Sequence, residues 1–275
     1  MVTLPKVLQR VAVASAAVVL ATVLVLQQLA GAERNNLEAG AQRDAVARAL
    51  SRLQPSDGLP HLYFVGFAGY GGEAVFKREV LAVRDLFDQR FGTAGRSVAL
   101  VNHASTARKI PLASTQNLTQ VLEHLGSIMD RDRDTLFLFL TSHGEKALLV
   151  VEMPGLELEH LTPSGLKRTL DRSGIRNRVV VISACHSGSF IPALADSHTL
   201  VIAAARADRA SFGCADKRQW TYFGDAYFNR ALRRETSFRK AFQRARSLVE
   251  RWEARERLMP SLPQMQGGEA LVMTE

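Results

Sequence analysis

The chain has 275 residues, 47% of them hydrophobic and 23% charged, with a formal net charge of +8. That balance excludes a disordered or low-complexity protein and fits one large domain with a well-buried core plus an N-terminal addition. Two cysteines, Cys185 and Cys214, exclude a disulfide framework. They leave one possible pairing, and a free Cys185 is the expectation here. Only seven of the 35 basic residues are lysine, which with the many alanines points to a GC-rich bacterial genome.

The first element is apolar. Lys6 and Arg10 precede a run with no charged residue until Glu33. A basic start followed by an apolar core is the layout of an export signal, and Ala30-Gly-Ala32 offers small residues for cleavage. Residues 11–32 are also long enough to span a bilayer, which takes about 20 residues. The expectation is a single-pass anchor in a bacterial inner membrane, with release to the periplasm after cleavage near Ala32 as the alternative. In both cases the basic flank stays inside and the remainder is exported. Residues 1–32 are thus a signal-anchor or signal peptide, 33–58 a linker or amphipathic helical spacer ending at the turn Pro55-Ser-Asp-Gly58, and 59–275 the main domain.

Strand signals follow at 62–67, 98–101, 135–140, 148–151, 179–182 and 200–204. The third and fifth are uninterrupted apolar runs without alternation, as in strands covered on both faces. Helical periodicity fills most of the gaps. Val75, Val80, Val83, Leu86 and Phe87 form one stripe; Leu118, Val121, Leu122 and Leu125 form another; Pro163 opens a short helix reaching 170. Strands alternating with helices imply βαβ units and a parallel sheet. Residues 228–257 hold ten basic and four acidic side chains, with Phe238, Phe242, Ala245, Leu248, Val249 and Trp252 at helical spacing. Such a face suits anionic lipid or nucleic acid. A helix packed on the domain with a solvated arginine face is the simpler reading, and no nucleic-acid partner is expected.

Two strand-to-loop junctions carry the chemistry. Leu136-Phe-Leu-Phe-Leu-Thr-Ser-His143-Gly144 delivers an imidazole, and Val179-Val-Val-Ile-Ser-Ala-Cys185-His-Ser-Gly188 delivers a thiol. In open α/β sheets ligands sit beyond the carboxyl ends of the strands, so both groups belong at one edge. A thiol attacks carbonyls as thiolate, and a neighbouring imidazole takes its proton and later protonates the leaving amine. The N–H groups of Gly144 and Cys185 are the candidate oxyanion donors. Ser187-Gly188-Ser189 leads into a helix whose N-terminal end would favour the thiolate. His186 is adjacent to Cys185, but neighbours on an extended segment point apart, so it is read as a bystander lining the cleft. Cys214 reads as packing. The cysteine and histidine spacings match no standard metal motif.

Thr141-Ser-His143-Gly144 followed by Ser183-Ala-Cys185-His-Ser-Gly188 resembles the His-Gly and Ala-Cys-x-Ser-Gly pair of the legumain-type cysteine peptidases. That family shares a clan with caspases, gingipains and the GPI-anchor transamidase. The likeness continues through Ala204-Ala-Arg-Ala-Asp-Arg-Ala-Ser211-Phe-Gly-Cys214 and Thr221-Tyr-Phe-Gly224-Asp225. Val65-Gly-Phe-Ala-Gly-Tyr-Gly-Gly72, Phe91-Gly-Thr-Ala-Gly-Arg-Ser97 and Ser261-Leu-Pro-Gln264 look like its bacterial branch. The resemblance implies a caspase-like α/β three-layer sandwich with a mainly parallel central sheet, preceded here by the N-terminal hydrophobic helix. It implies Cys185 as nucleophile, His143 as acid/base, a polypeptide substrate, and chemistry without a metal or organic cofactor. Ser211 and Asp225 match pocket positions. Ser183 stands where legumain has an acidic pocket residue, and Lys77 and Arg78 are loose counterparts of its basic ones. The position of the asparagine that assists legumain's histidine falls near Val75, so no third catalytic member is assigned and residue preference stays open.

The function expected is a cysteine endopeptidase acting through an acyl-thioester. A transamidase or peptide ligase needs the same two residues, and a non-catalytic binding module on the same scaffold is the third reading.

Overall fold

A computed structural model describes residues 40–271 of the chain. The chain divides into a short unit, Met1–Asp44, and a large one, Ala45–Glu275. Of the short unit the described residues, 40–44, are helical. The expected signal or anchor, residues 1–32, lies outside the described residues, and among those no helix is long and apolar enough to cross a membrane.

The large unit is built on a six-stranded sheet in the order β2-β1-β3-β6-β7-β8. Its strands are β1 (Leu62–Ala68), β2 (Ser97–Val101), β3 (Thr135–Thr141), β6 (Asn177–Ser183), β7 (Thr199–Ala203) and β8 (Gln264–Gln266). The first five pair in parallel, and β8 closes the edge antiparallel to β7. The expected strand at 148–151 is instead the second arm of a two-residue hairpin outside the main sheet, β4 (Gly144–Glu145) and β5 (Leu148–Leu149).

Every residue of β1 and β3 is buried, because helices cover both faces. On one face Phe64, Phe137, Phe139, Val181 and Ile202 meet α1 (Ala74–Arg90), α5 (Tyr222–Gly224) with the wide turns of Asp225–Ala231, and α6 (Phe238–Glu256). On the other, Tyr63, Val65, Leu138, Val180 and Val201 meet α2 (Thr115–Ile128), α3 (Pro163–Arg172) and α4 (Ile191–Leu194). The layers are those of a three-layer sandwich. The α2 N-terminus is capped by Ser114 and that of α3 by Thr162, with Pro163 in the first turn, where its missing N–H costs nothing. Residues 45–58, assigned to the spacer from sequence, pack into this unit: Leu50 and Leu53 lie on the second cluster, and Gln54 N–H bonds Gly95 O at 2.8 Å.

Helix α6 turns Phe238, Ala241, Phe242, Ala245 and Val249 inward. The arginines on and just before it are partly neutralised by nearby carboxylates. Arg244 pairs with Glu235 at 3.1 Å, Arg246 with Glu250 at 3.5 Å, and Arg230 with Asp225 at 3.1 Å while stacking over Trp252. These partners favour the packed helix with a solvated face.

Phe137 joins the sheet to three helical segments, with ring centroids 4.4 Å from Phe87, 5.0 Å from Phe238 and 6.3 Å from Phe228. Phe137→Ala is expected to lower the unfolding free energy by about 3–5 kcal/mol, through lost burial and the cavity left behind. Urea denaturation checks this. Lys167→Ala, which breaks only an exposed ion pair with Asp171, is expected to stay within about 0.5 kcal/mol.

Candidate active site

The β3–β6 register sets Thr141 opposite Ser183. The two strands end level, and His143 and Cys185 each follow two residues later. Ser142 N–H continues the ladder to Ser183 O at 3.3 Å. Beyond it the backbones touch: a β-carbon built on Gly144 would stand 2.4 Å from Cys185 O and 3.0 Å from the Ala184 side chain. Only glycine permits this approach. The two candidate oxyanion donors, Gly144 and Cys185, therefore come from backbones in contact. A further tie joins the loops. Ala147, in the left-handed region at φ 59°, donates its N–H to Ser189 Oγ at 3.0 Å, and that hydroxyl donates to His186 O at 2.7 Å.

Cys185 is half-buried, and both cysteines are free thiols. Ser211 N–H donates to Cys185 Sγ at 3.3 Å, and Sγ lies 3.5 Å from Ser211 O. The following residues hold the Cys185 loop down. Ser187 Oγ accepts from Ala205 N–H at 3.1 Å, and Gly188 N–H donates to Ala205 O at 2.8 Å. A side chain at Gly188 would meet Gln264, Ala207 and Ala205 within 3 Å. His186 departs from the extended conformation expected of it. It sits at φ 56°, and its Nδ1 lies 3.0 Å from Ala207 O, tying it to the segment after β7. The helix expected after the nucleophile is a single 3-10 turn, Ser187–Phe190, and one α turn, Ile191–Leu194. Aligned peptide dipoles there are too few for a substantial macrodipole.

His143 has its ring edge-on to Tyr70 and Phe76, with centroids 4.6 and 5.2 Å away. Its Nε2 lies 3.1 Å from Glu73 Oε2. Glu73 was not singled out from sequence, because it stands in a glycine-rich loop at the start of a helix and reads there as an ordinary first-turn acid.

The candidate pocket residues lie in different surroundings, although Ser183 and Asp225 both contact Thr221. Ser183 is 1% exposed, its hydroxyl 3.1 Å from Thr221 Oγ1. Ser211 stays half-exposed beside the thiol. Asp225 bonds Asn229 and Arg230 at the start of the wide turns. Arg78 donates to Arg218 O and Asp216 O, and Lys77 Nζ lies 3.0 Å from Ser105 Oγ and 3.2 Å from His103 Nδ1. Burial, then the charge of Arg78, hold the Lys77 ammonium below its usual range. Cys214 is unlike Cys185: burial first, with the charges of Cys185 and Glu73 adding, pushes its thiol up to about 11.

Beneath the site lies a fully buried carboxylate, Glu79. Thr141 Oγ1 donates to its Oε2 at 2.7 Å, while Thr221 donates to Oε1 through N–H at 3.0 Å and Oγ1 at 2.7 Å. Burial raises its pKa despite these three bonds, since desolvation penalises the charged form.

A family model described as the peptidase C13 family matches residues 114–272. Comparison with curated proteins gives no match. Among solved structures, caspase-1 from Spodoptera frugiperda is similar, with a TM-score of 0.51 and 13% identity, over 75% of this chain and 85% of that one. At that identity the likeness shows a caspase-like α/β fold.

Glu79 gives a testable pH dependence. Its folded pKa lies above the unfolded value, so the native state binds more protons in the intervening range and stability from this group rises as pH falls. Glu79→Gln cannot titrate there. The stability of the wild type relative to this variant is expected to grow on acidification and level off below the ordinary carboxylate range, as checked by urea titrations at several pH values.

Proposed function

Because this chain belongs to the peptidase C13 family, we propose that it is a cysteine endopeptidase that cleaves polypeptides with Cys185 as nucleophile and His143 as acid/base. The observation that carries this reading is the shared end-point of β3 and β6, with the Gly144 backbone set against that of Cys185.

In the proposed cycle His143 takes the Cys185 proton and the sulfur attacks the scissile carbonyl carbon. The carbonyl oxygen becomes an oxyanion bound by the N–H groups of Gly144 and Cys185. The imidazolium then protonates the departing amine as the C–N bond breaks, leaving an acyl-thioester on Cys185. Water, deprotonated by His143, attacks that thioester; the acid product departs and the sulfur regains its proton. Ser211 lies close enough to Cys185 to border the substrate's reacting residue. In this reading Ser183 acts from behind it through Thr221, and Asp225 shapes the wall through its own neighbours. The same proposal keeps the N-terminal apolar run, residues 11–32, as the anchor in a bacterial inner membrane, with the peptidase unit outside.

Two measurements test the reading. Cys185→Ala and His143→Ala are each expected to lower kcat/KM on a peptide library by about 10³-fold or more while leaving the fold intact. Iodoacetamide at pH 8 is expected to label Cys185 well ahead of Cys214, whose thiol, at a pKa of about 11, is only roughly 10⁻³ ionised there. Equal labelling of the two, or activity that survives Cys185→Ala, rejects it. Aminolysis products that outcompete hydrolysis when an amine is added would identify a transamidase instead.

A further inference from the structure

We propose that Glu73 is the positioning residue of His143, so that the site works as a Cys185–His143–Glu73 relay; this rests on the reading of His143 as acid/base. The family resemblance assigns no third member here. Its assisting asparagine falls near Val75, an apolar residue buried inside α1.

Four observations point to Glu73. Its Oε2 lies 3.1 Å from His143 Nε2, with the two side chains 29% and 35% exposed. That same oxygen is buried and makes no aligned hydrogen bond. A buried carboxylate oxygen without a donor is costly, and a proton on Nε2 is the remedy within reach; such bonds are often poorly aligned before substrate arrives. Third, Glu73 occupies the N-cap position of α1 yet forms no side-chain cap. Asp216 serves instead, accepting the Ala74 N–H on Oδ1 at 2.7 Å. The capping duty that would hold an acid at this position is thus taken over by another segment, which leaves Glu73 free to face the imidazole. Fourth, the ring is walled by Tyr70 and Phe76, edge-on at 74° and 80°. Gly72 leaves room for Tyr70, whose ring would lie 2.7 Å from a β-carbon there.

The chemistry follows from the two ring nitrogens. A carboxylate at Nε2 retains the proton on that nitrogen and leaves the Nδ1 lone pair as the base for the thiol. When Nδ1 takes that proton, Glu73 balances the imidazolium charge without itself being protonated. Holding one tautomer and one ring orientation is what a third member contributes.

The full-length chain with Glu73→Gln, Glu73→Ala and Glu73→Asp provides the test. Glu73→Gln is expected to lower kcat by about 10- to 100-fold with KM within about twofold, Glu73→Ala to fall at least as far, and Glu73→Asp to recover part of the loss. Thermal melts separate these effects from unfolding. Nitrogen-15 spectra of labelled histidine, assigned with His143→Ala and read where the ring is neutral, report the tautomer directly. The expected wild-type form carries its proton on Nε2, and the two forms should mix in Glu73→Ala. If Glu73→Gln and Glu73→Ala keep kcat within about twofold while Cys185→Ala is dead, the dyad stands and this proposal fails. If Cys185→Ala stays active, the proposed function fails. The proposal fails too if the tautomer is the same with and without Glu73.

Discussion

The register between β3 and β6 is the constraint on which the site depends. Both strands are apolar and covered on both faces, with Phe137 and Phe139 in one cluster and Leu136, Leu138 and Leu140 in the other. A slip of one residue would exchange these sets and put phenylalanine rings where leucines fit. The core therefore holds Thr141 against Ser183. The candidate side chains of His143 and Cys185 inherit their level from that pairing, before any direct interaction between them is considered. Gly144 then lets the chain leave β3 without colliding with Cys185.

Glu79 secures the rim from below. Its carboxylate gathers Thr141 from β3 and Thr221 from the start of the segment leading to α6. Space is so tight there that a side chain on Gly224 would meet Glu79 Oε1 at 1.8 Å. A buried carboxyl group is an expensive fastening, because three hydrogen bonds offset only part of the desolvation of its charged form. What it supplies is position. Glu79 sits in α1, whose first turn follows the loop that carries Tyr70 and Glu73 to the His143 ring. The segment 205–221 does the same on the other side, touching Cys185 through Ser211 and capping α1 through Asp216. The Cys185 loop and the helix start are thus held by one stretch of chain.

Among the expected elements, the long ones were the legible ones. Five parallel strands and the α1, α2, α3 and α6 stripes all lie within a few residues of their expected bounds, because each carries enough apolar residues for a period to show. Three pieces were not legible. Strand β8 is Gln-Met-Gln, too short and polar to read as a strand, and it forms only because β7 offers an open edge. Asp225–Ala231 takes wide π turns, which no simple periodicity marks. The apolar residues after Leu148 looked like a sheet strand, yet Leu149 and Val151 are buried from a hairpin loop over the second cluster.

By itself the amino-acid order determined the sheet class and the two junctions bearing His143 and Cys185, since apolar period and local motif are properties of neighbouring residues. It also marked Gly144 and Gly188 as backbone positions of consequence. Only the tertiary structure decided which acid meets the imidazole, which serine is buried and which borders the thiol. Glu73 and His143 are separated by two helices and two strands, and Ser183 and Ser211 look alike as letters. Their difference arises from the direction each side chain takes once the layers close, a long-range outcome of packing that no local pattern encodes.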